Sequence, residues 1–293
     1  MMPGRAKIVP EPVQMTELEQ ACFQALRVRE ECQDNAAAYI EHCITDKDGT
    51  RLKLSAIHLS WIHHISWCWS HGYYALILAP WAHGKSTIVA VGLASFILGR
   101  EPGARVKIVS NDGGMASKRV GAISRLMLKN PDFKTVFPDC VPGVDIIDGK
   151  EKPLPWTQNE VFLQGPAGAM QIEPSLQAKG VFGTGISGRA DYLFFDDTCD
   201  KKNSVDNPAY RDKVIENFHQ TWMSRLEPDG HACAIGTPWH RDDLWSHLMQ
   251  NPKWITLKQA IKQDNSAIRQ EVYNAPASYP GRLELRAMDR EAM

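Results

Sequence analysis

Short apolar runs alternate with longer segments of helical periodicity along most of the chain, and this alternation predicts strands and helices in turn. Runs of strand length and mostly apolar character occupy residues 73–79, 105–110, 190–197, 232–236 and 254–260. Segments with helical spacing lie between and beyond them, at residues 86–98, 114–129, 208–226 and 241–249. Alternation on this scale indicates βαβ units. We therefore expect an α/β fold whose central, mostly parallel sheet is flanked by helices.

The flanking regions give weaker patterns. Residues 16–43 and 54–69 have helical spacing, and residues 130–155 are rich in Pro, Gly and Asp, which favours a long loop. Residues 161–163 and 170–172 are expected to form a short antiparallel pair. Periodicity is lost after residue 262. The predicted division is an N-terminal helical segment (1–50), a main domain (51–262) and a linker or tail (263–293).

The first candidate for chemistry is the loop between the strand at 73–79 and the helix that follows. Gly84, Lys85 and Ser86 open that helix, as in a P-loop, where backbone N–H groups and the positive helix end face a nucleotide's phosphates. Lys85 would reach the β- and γ-phosphates of ATP, and the Ser86 hydroxyl would bind Mg²⁺. The nucleotide-binding residues would be Ala79, Pro80, Trp81, Ala82, His83, Gly84, Lys85, Ser86 and Thr87.

This motif departs from the usual P-loop pattern, because Ala79 stands where the first glycine is expected. The plainer interpretation is a buried strand, turn and helix with a lysine at the surface.

A second candidate lies at the end of the apolar run 190–197. Asp196 and Asp197 would emerge at the carboxyl end of a buried strand, where open α/β sheets bind ligands. Phosphoryl transfer needs one carboxylate for the metal and another for the attacking water. We assign Asp196 to Mg²⁺ and Asp197 to the water. The alternative is an acidic strand end that binds nothing.

Composition narrows the setting without choosing a function. The 293 residues are 43% hydrophobic and 23% charged, with a net charge of −1, so no global basic field indicates nucleic acid, although a local patch would suffice. Seven scattered cysteines without a Cys-x-x-Cys pair are typical of a reducing compartment. No apolar run approaches the roughly 20 residues that span a bilayer, so no membrane partner is expected.

A third segment, Ala-Ile-Gly-Thr-Pro-Trp-His-Arg-Asp-Asp-Leu at 234–244, follows the other two. Together the three segments resemble the ATPase domain of the large terminase subunit of tailed bacteriophages, over about residues 55–285. The resemblance implies an additional-strand P-loop ATPase domain at 51–262. It also implies a motor that uses ATP to package double-stranded DNA into a procapsid, in the host cytoplasm.

The resemblance extends to partners and to further residues. Thr237 would contact the γ-phosphate region and couple hydrolysis to DNA movement. The implied partners are double-stranded DNA bound without sequence preference, the portal protein, the small terminase subunit and further copies of the chain in a ring. Large terminases usually continue into a nuclease domain. No later strand-borne carboxylate cluster follows here, so we expect the motor half alone and no nuclease activity.

One departure from the family concerns its catalytic arginine. Similar loops read Ala-Pro-Arg-Gly-His-Gly-Lys-Ser, whereas Trp81 and Ala82 replace the Arg and Gly here. We expect Arg189 of a neighbouring subunit to take the role of the missing loop arginine. The alternative interpretation is that Arg189 is a surface arginine. Candidate contacts to DNA phosphates are Lys118, Arg119, Arg125, Lys201 and Lys202.

Two other functions share parts of this pattern. A helicase-like translocase would use the same Lys85 and Asp196 but would separate strands. Alternatively, the changes at Ala79 and Trp81 mark a subunit that binds nucleotide or protein partners without turnover.

Overall fold

The computed structural model describes residues 16–165, 172–183, 188–261 and 268–280. The strands within these residues are β1 Tyr74–Leu78, β2 Val106–Ser110, β3 Val144–Ile147, β4 Lys150–Pro153, β5 Glu160–Val161, β6 Leu176–Gly180, β7 Ala190–Asp196, β8 Leu226–Gly236, β9 Trp254–Ile261 and β10 Ile268–Tyr273. All except β3 and β4 join one sheet in the order β10-β9-β1-β8-β7-β2-β6-β5. The six strands from β9 to β6 are parallel, and β10 and β5 pair antiparallel at the edges.

Eight α-helices accompany the sheet in the described part of the chain. They are α1 Glu17–Asp34, α2 Ala36–Cys43, α3 Ala56–Ser70, α4 Ala94–Arg100, α5 Gly113–Lys129, α6 Pro131–Val136, α7 Pro208–Asn217 and α8 Leu244–Met249. A π-helical segment, Ser86–Leu93, leads into α4, and another, Phe218–Trp222, extends α7. The predicted mixed α/β architecture with a mostly parallel sheet is confirmed.

The sheet is covered on both faces, and β1 shows why its sequence is continuously apolar. Ala75 and Ile77 belong to one hydrophobic core and Leu76 to a second, on the opposite face. Alternate residues of a strand point to opposite faces, so a strand buried on both faces needs apolar residues at every position. This burial fixes the position of the loop that follows β1.

The N-terminal helical region is two helices rather than the single one expected at 16–43. Asn35 adopts an extended conformation and its side-chain oxygen accepts hydrogen bonds from the backbone N–H groups of Ala37 and Ala38. Asparagine is a favoured N-cap because it satisfies these otherwise unpaired donors. Asn35 therefore ends α1 and begins α2.

The middle region contains more regular structure than predicted. Residues 130–155, expected to be a loop, include α6 and the β3–β4 hairpin. Asn130 caps α6 and proline occupies its first turn, so the Pro-rich composition marks a helix start here.

The expected partner of 161–163 is also different. Val161 pairs with Leu176, and both side chains are fully buried. Most of the predicted partner at 170–172 lies outside the described residues.

Two later boundaries shift as well. The helix expected at 208–226 is followed by β8, which begins at Leu226, earlier than the predicted strand. The segment predicted as a tail contains β10, which pairs with β9 over six residues. Its sequence, Ile-Arg-Gln-Glu-Val-Tyr, suits an edge strand with one polar face, which carries a weaker signal than a buried strand. The domain boundaries themselves remain a prediction.

Candidate functional site

Three of the predicted segments meet at one edge of the sheet. Residues 79–87, named here the candidate phosphate loop, follow β1; Thr237 follows β8; and Asp196 ends β7. These strands are parallel neighbours in the order β1-β8-β7, so their carboxyl ends lie side by side. That edge is where open α/β sheets bind ligands.

The candidate phosphate loop has the backbone shape of a tight cradle. Ala82 and Gly84 both have left-handed conformations, with φ of 62° and 73°. The carbonyl oxygen of His83 accepts a hydrogen bond from His58 Nε2 at 3.1 Å. His83 Nδ1 in turn lies 2.6 Å from the Trp81 carbonyl oxygen, which can only accept. The start of α3 therefore supports the loop from one side.

Lys85 is a buried cation. Its side chain is held by three oxygen acceptors, since Nζ donates to Ala79 O at 2.9 Å, Pro80 O at 2.7 Å and Thr237 Oγ1 at 3.2 Å. Only 6% of the residue is exposed, and burial lowers the pKa of Lys85, while Asp197 and Asp196 oppose that shift. The plainer interpretation of this segment assumed a lysine at the surface, whereas Lys85 is buried in the structure.

Ser86, Asp196 and Arg119 form a closed group beside Lys85. The Ser86 hydroxyl donates to Asp196 Oδ1 at 2.7 Å. Arg119 Nε donates to Asp196 Oδ2 at 2.7 Å, and another guanidinium nitrogen donates to Ser86 Oγ at 3.1 Å. The Asp196 side chain is fully buried. Arg119, named from the sequence as one candidate contact to DNA phosphates, lies in this group.

Sequence reasoning had no signal for the position of Arg119. The residue lies on α5. The helical spacing of α5 indicates which face is buried, but it does not indicate which other residues that face contacts. The other cations named with it, Lys118, Arg125, Lys201 and Lys202, are exposed.

Asp197 follows directly and is held in an uncommon backbone conformation. Its φ is 48°, and its backbone N–H donates to the Ile235 carbonyl oxygen at 3.0 Å. Burial and the neighbouring Asp196 raise the pKa of Asp197 to about 6, while Lys85 and Arg119 oppose that shift. A non-glycine residue in the left-handed region is a frequent mark of functional sites, and aspartate tolerates it better than most.

The end of β8 is packed tightly against α8. A Cβ atom on Gly236 would lie 2.5 Å from the Trp245 ring, so this position admits glycine only. The Thr237 hydroxyl donates to Ala79 O at 3.0 Å and accepts from Lys85. Asp243 caps α8 and also accepts from the Trp239 N–H. The segment after β8 is therefore joined to the candidate phosphate loop by direct hydrogen bonds.

Two tryptophans stand at the rim of this site. Trp81 is 60% exposed, and its ring centroid lies 5.1 Å from that of Trp239. The pair bridges the candidate phosphate loop and the segment after β8.

Arg189 lies far from the other site residues within one chain. It precedes β7, is exposed, and its backbone N–H donates to Glu173. Asp196 lies seven residues further along the same strand, a distance of about 20 Å at the usual rise per residue. Arg189 is therefore not in contact with the candidate site of its own chain.

The oxygen atoms of Ser86 and Asp196 suit a hard cation. Magnesium binds through one or two carboxylates with water and substrate phosphates rather than in a cage made of protein ligands alone. Ser86 and Asp196 are the side chains whose oxygen atoms would suit Mg²⁺ at this edge. Within the described residues, no group of three or more His, Cys, Asp or Glu side chains could hold a metal ion.

The sheet topology defines a mixed α/β protein, and its likeness to a solved structure shows a terminase-like fold. No protein-family model matches the chain, and no curated protein does. Among solved structures, the crystal structure of the HK97 bacteriophage large terminase matches it with a TM-score of 0.52 at 12% identity, over 88% of this chain and 51% of that chain. At this identity the likeness establishes the fold alone, and the chain spans about half the length of that terminase.

Proposed function

We propose that this protein is a Mg²⁺-dependent ATPase that drives packaging of double-stranded DNA into a procapsid. The observation that carries the proposal is the meeting of Lys85, Ser86, Asp196, Asp197 and Thr237 at three adjacent strand ends. The insertion of β8 between the loop strand and the acidic strand agrees with an additional-strand P-loop fold. The fold shared with a bacteriophage large terminase supports a role in DNA packaging.

Binding of the triphosphate would be the task of the candidate phosphate loop. Backbone N–H groups of residues 82–87 and the helix beginning at Ser86 supply positive partial charge. The Lys85 ammonium, which now donates to three neutral oxygens, would exchange some of these partners for β- and γ-phosphate oxygens. Ser86 and Asp196 would hold Mg²⁺ directly or through water. When bound, the metal neutralises charge that develops between the β- and γ-phosphates.

Hydrolysis would then depend on the placement of one water molecule. Asp197, next to the metal ligand, would orient that water and accept its proton. Thr237, bonded to both Lys85 and the loop carbonyl of Ala79, would respond to the γ-phosphate and pass its loss to β8. Arg189 of a neighbouring subunit would stabilise the transition state, a contribution of roughly 10³–10⁵ in rate for arginine fingers.

The partners follow from this function. DNA would be gripped through its phosphates, without sequence preference and with strong salt dependence. A ring of identical chains would act with the portal protein and the small terminase subunit in the host cytoplasm. No nuclease activity is expected of this chain.

The test is the steady-state ATPase rate per subunit, measured over a range of protein concentrations. Lys85→Ala should remove turnover, because the only buried ammonium facing the candidate phosphate loop in the described structure is lost. The matched control is Lys134→Ala, which removes an exposed lysine of α6. A wild-type rate no higher than that of Lys85→Ala, with DNA present, would overturn the proposal and favour a subunit without turnover. ATP-dependent separation of a short duplex would favour a helicase-like translocase.

A further inference from the structure

Arg119 donates hydrogen bonds to the same two side chains that would bind the cation. Its guanidinium, on a side chain that is 17% exposed, contacts one oxygen of Asp196 and the oxygen of Ser86. The remaining Asp196 oxygen accepts from the Ser86 hydroxyl. Both side chains proposed as magnesium ligands therefore have lone pairs engaged by a single, partly buried arginine.

This arrangement has two physical consequences. An oxygen lone pair that accepts an N–H bond is not available to a metal at the same time. A fixed positive charge within hydrogen-bond distance of both ligands also repels a divalent cation, and the repulsion is strong because the Asp196 carboxylate is shielded from water. Lys85, whose charge also interacts with Asp196, adds a second positive charge.

We propose, resting on the proposed function above, that Arg119 makes metal binding at Ser86 and Asp196 conditional on nucleotide. In this view the guanidinium and the divalent cation compete for the same two side chains. The anionic triphosphate shifts the balance by neutralising Lys85 and offering the displaced guanidinium a new partner beside the candidate phosphate loop. Arg119 is a positioning residue that keeps the site from taking up metal without its substrate.

The experiment is a titration of the full chain with Mn²⁺ alone, without nucleotide, followed by calorimetry or by electron paramagnetic resonance of free Mn²⁺. Arg119→Gln, which keeps a hydrogen-bonding side chain but removes the charge, should bind Mn²⁺ at least about tenfold more tightly than wild type. Lys129→Gln is the matched control, since it removes an exposed positive charge from the same helix, and it should match wild type. Saturating ATP should narrow the difference between Arg119→Gln and wild type.

Asp196→Asn separates failure of this inference from failure of the proposed function. Equal Mn²⁺ affinity in wild type and Arg119→Gln, with binding lost in Asp196→Asn, overturns the competition and leaves the metal site standing. Absence of Mn²⁺ binding to every variant, with and without ATP, overturns both. If Arg119→Gln does not fold, Arg119→Lys carries the comparison. It keeps the charge but loses the fork that contacts both groups, and a smaller tightening is expected; no tightening overturns the competition.

Discussion

At the scale of single residues, the site balances two cations, one buried and one partly buried, against two carboxylates. Lys85 and Arg119 face Asp196 and Asp197, and three of the four make direct hydrogen bonds within the group or to the loop. Asp197 is the exception, since its hydrogen bond to Ile235 is made by its backbone N–H. Burial and the neighbouring Asp196 carboxylate explain why the pKa of Asp197 rises to about 6.

This raised pKa predicts how stability depends on pH. Asp197 keeps its proton in the folded protein up to about pH 6, whereas its ordinary pKa is 3.8. Its contribution therefore favours folding at low pH and is lost as pH rises from about 4 to 6. Asp197→Asn cannot ionise and tolerates the left-handed backbone, so it should be more stable than wild type above pH 6, by about 3 kcal/mol.

The measurement is urea unfolding of both proteins in chelator-containing buffer at pH 4, 6 and 8. The advantage of Asp197→Asn should grow with pH and then level off. An advantage that is the same at all three pH values would contradict a raised pKa of Asp197 as its cause.

At the scale of elements, the sequence predicts best what is buried on both faces. Five predicted strands match β1, β2, β7, β9 and the end of β8, because strands between two cores must be apolar at every position. Ser86, Asp196 and Thr237 come together because each follows or ends one of these strands. The features that escaped prediction include β10 at the sheet edge, the β3–β4 hairpin, whose residues are all exposed, and Arg119, whose position depends on contacts between segments distant in sequence.

The segment after β10 also makes a specific contact with α3. His64 is fully buried; its Nε2 lies 3.1 Å from the Ile255 carbonyl oxygen and must donate, so Nδ1 accepts from the Tyr279 hydroxyl at 2.9 Å. Burial lowers the pKa of His64 to about 4. Residues at the end of the described chain are thus fixed to the core by a neutral histidine.

A second pH dependence follows, with the opposite sign. Because unfolded His64 binds a proton near its ordinary pKa of 6.5 and folded His64 does not until about 4, stability falls as pH drops through this interval, by about 3 kcal/mol. Thermal unfolding between pH 7 and 4 should show a shallower loss for His64→Gln. His71→Gln, at an exposed histidine just beyond α3, should keep the wild-type slope; equal slopes in all three proteins would contradict the assignment.

At the scale of the whole molecule, the sheet separates the two ends of β7. Asp196 lies at the carboxyl edge with the candidate phosphate loop, whereas Arg189 is exposed near the other end of the strand. A head-to-tail ring brings different edges of neighbouring subunits together. The geometry therefore makes the proposed role of Arg189 a property of the assembly.

Among the described helices, none combines the length and the apolar character needed to span a bilayer.

Mixing two inactive variants tests this division of labour. Arg189→Ala and Lys85→Ala should each lose most ATPase activity, but a mixed ring contains interfaces at which one subunit supplies Lys85 and its neighbour Arg189. Random equimolar mixing should restore up to about a quarter of the interfaces, measured as ATP turnover. As the control, Lys85→Ala mixed with the double variant should stay inactive. Full turnover by Arg189→Ala alone would rule out a catalytic role.

The close approach of Gly236 to Trp245 limits which residues related sequences can have at these two positions. Because the Trp245 ring fills the space that a side chain at position 236 would need, we expect the two positions to change together. A relative with alanine or serine at the position of Gly236 must carry a smaller side chain at that of Trp245. The Gly-Thr pair at the end of β8 would then reflect the packing of β8 against α8 as much as the requirements of an active site.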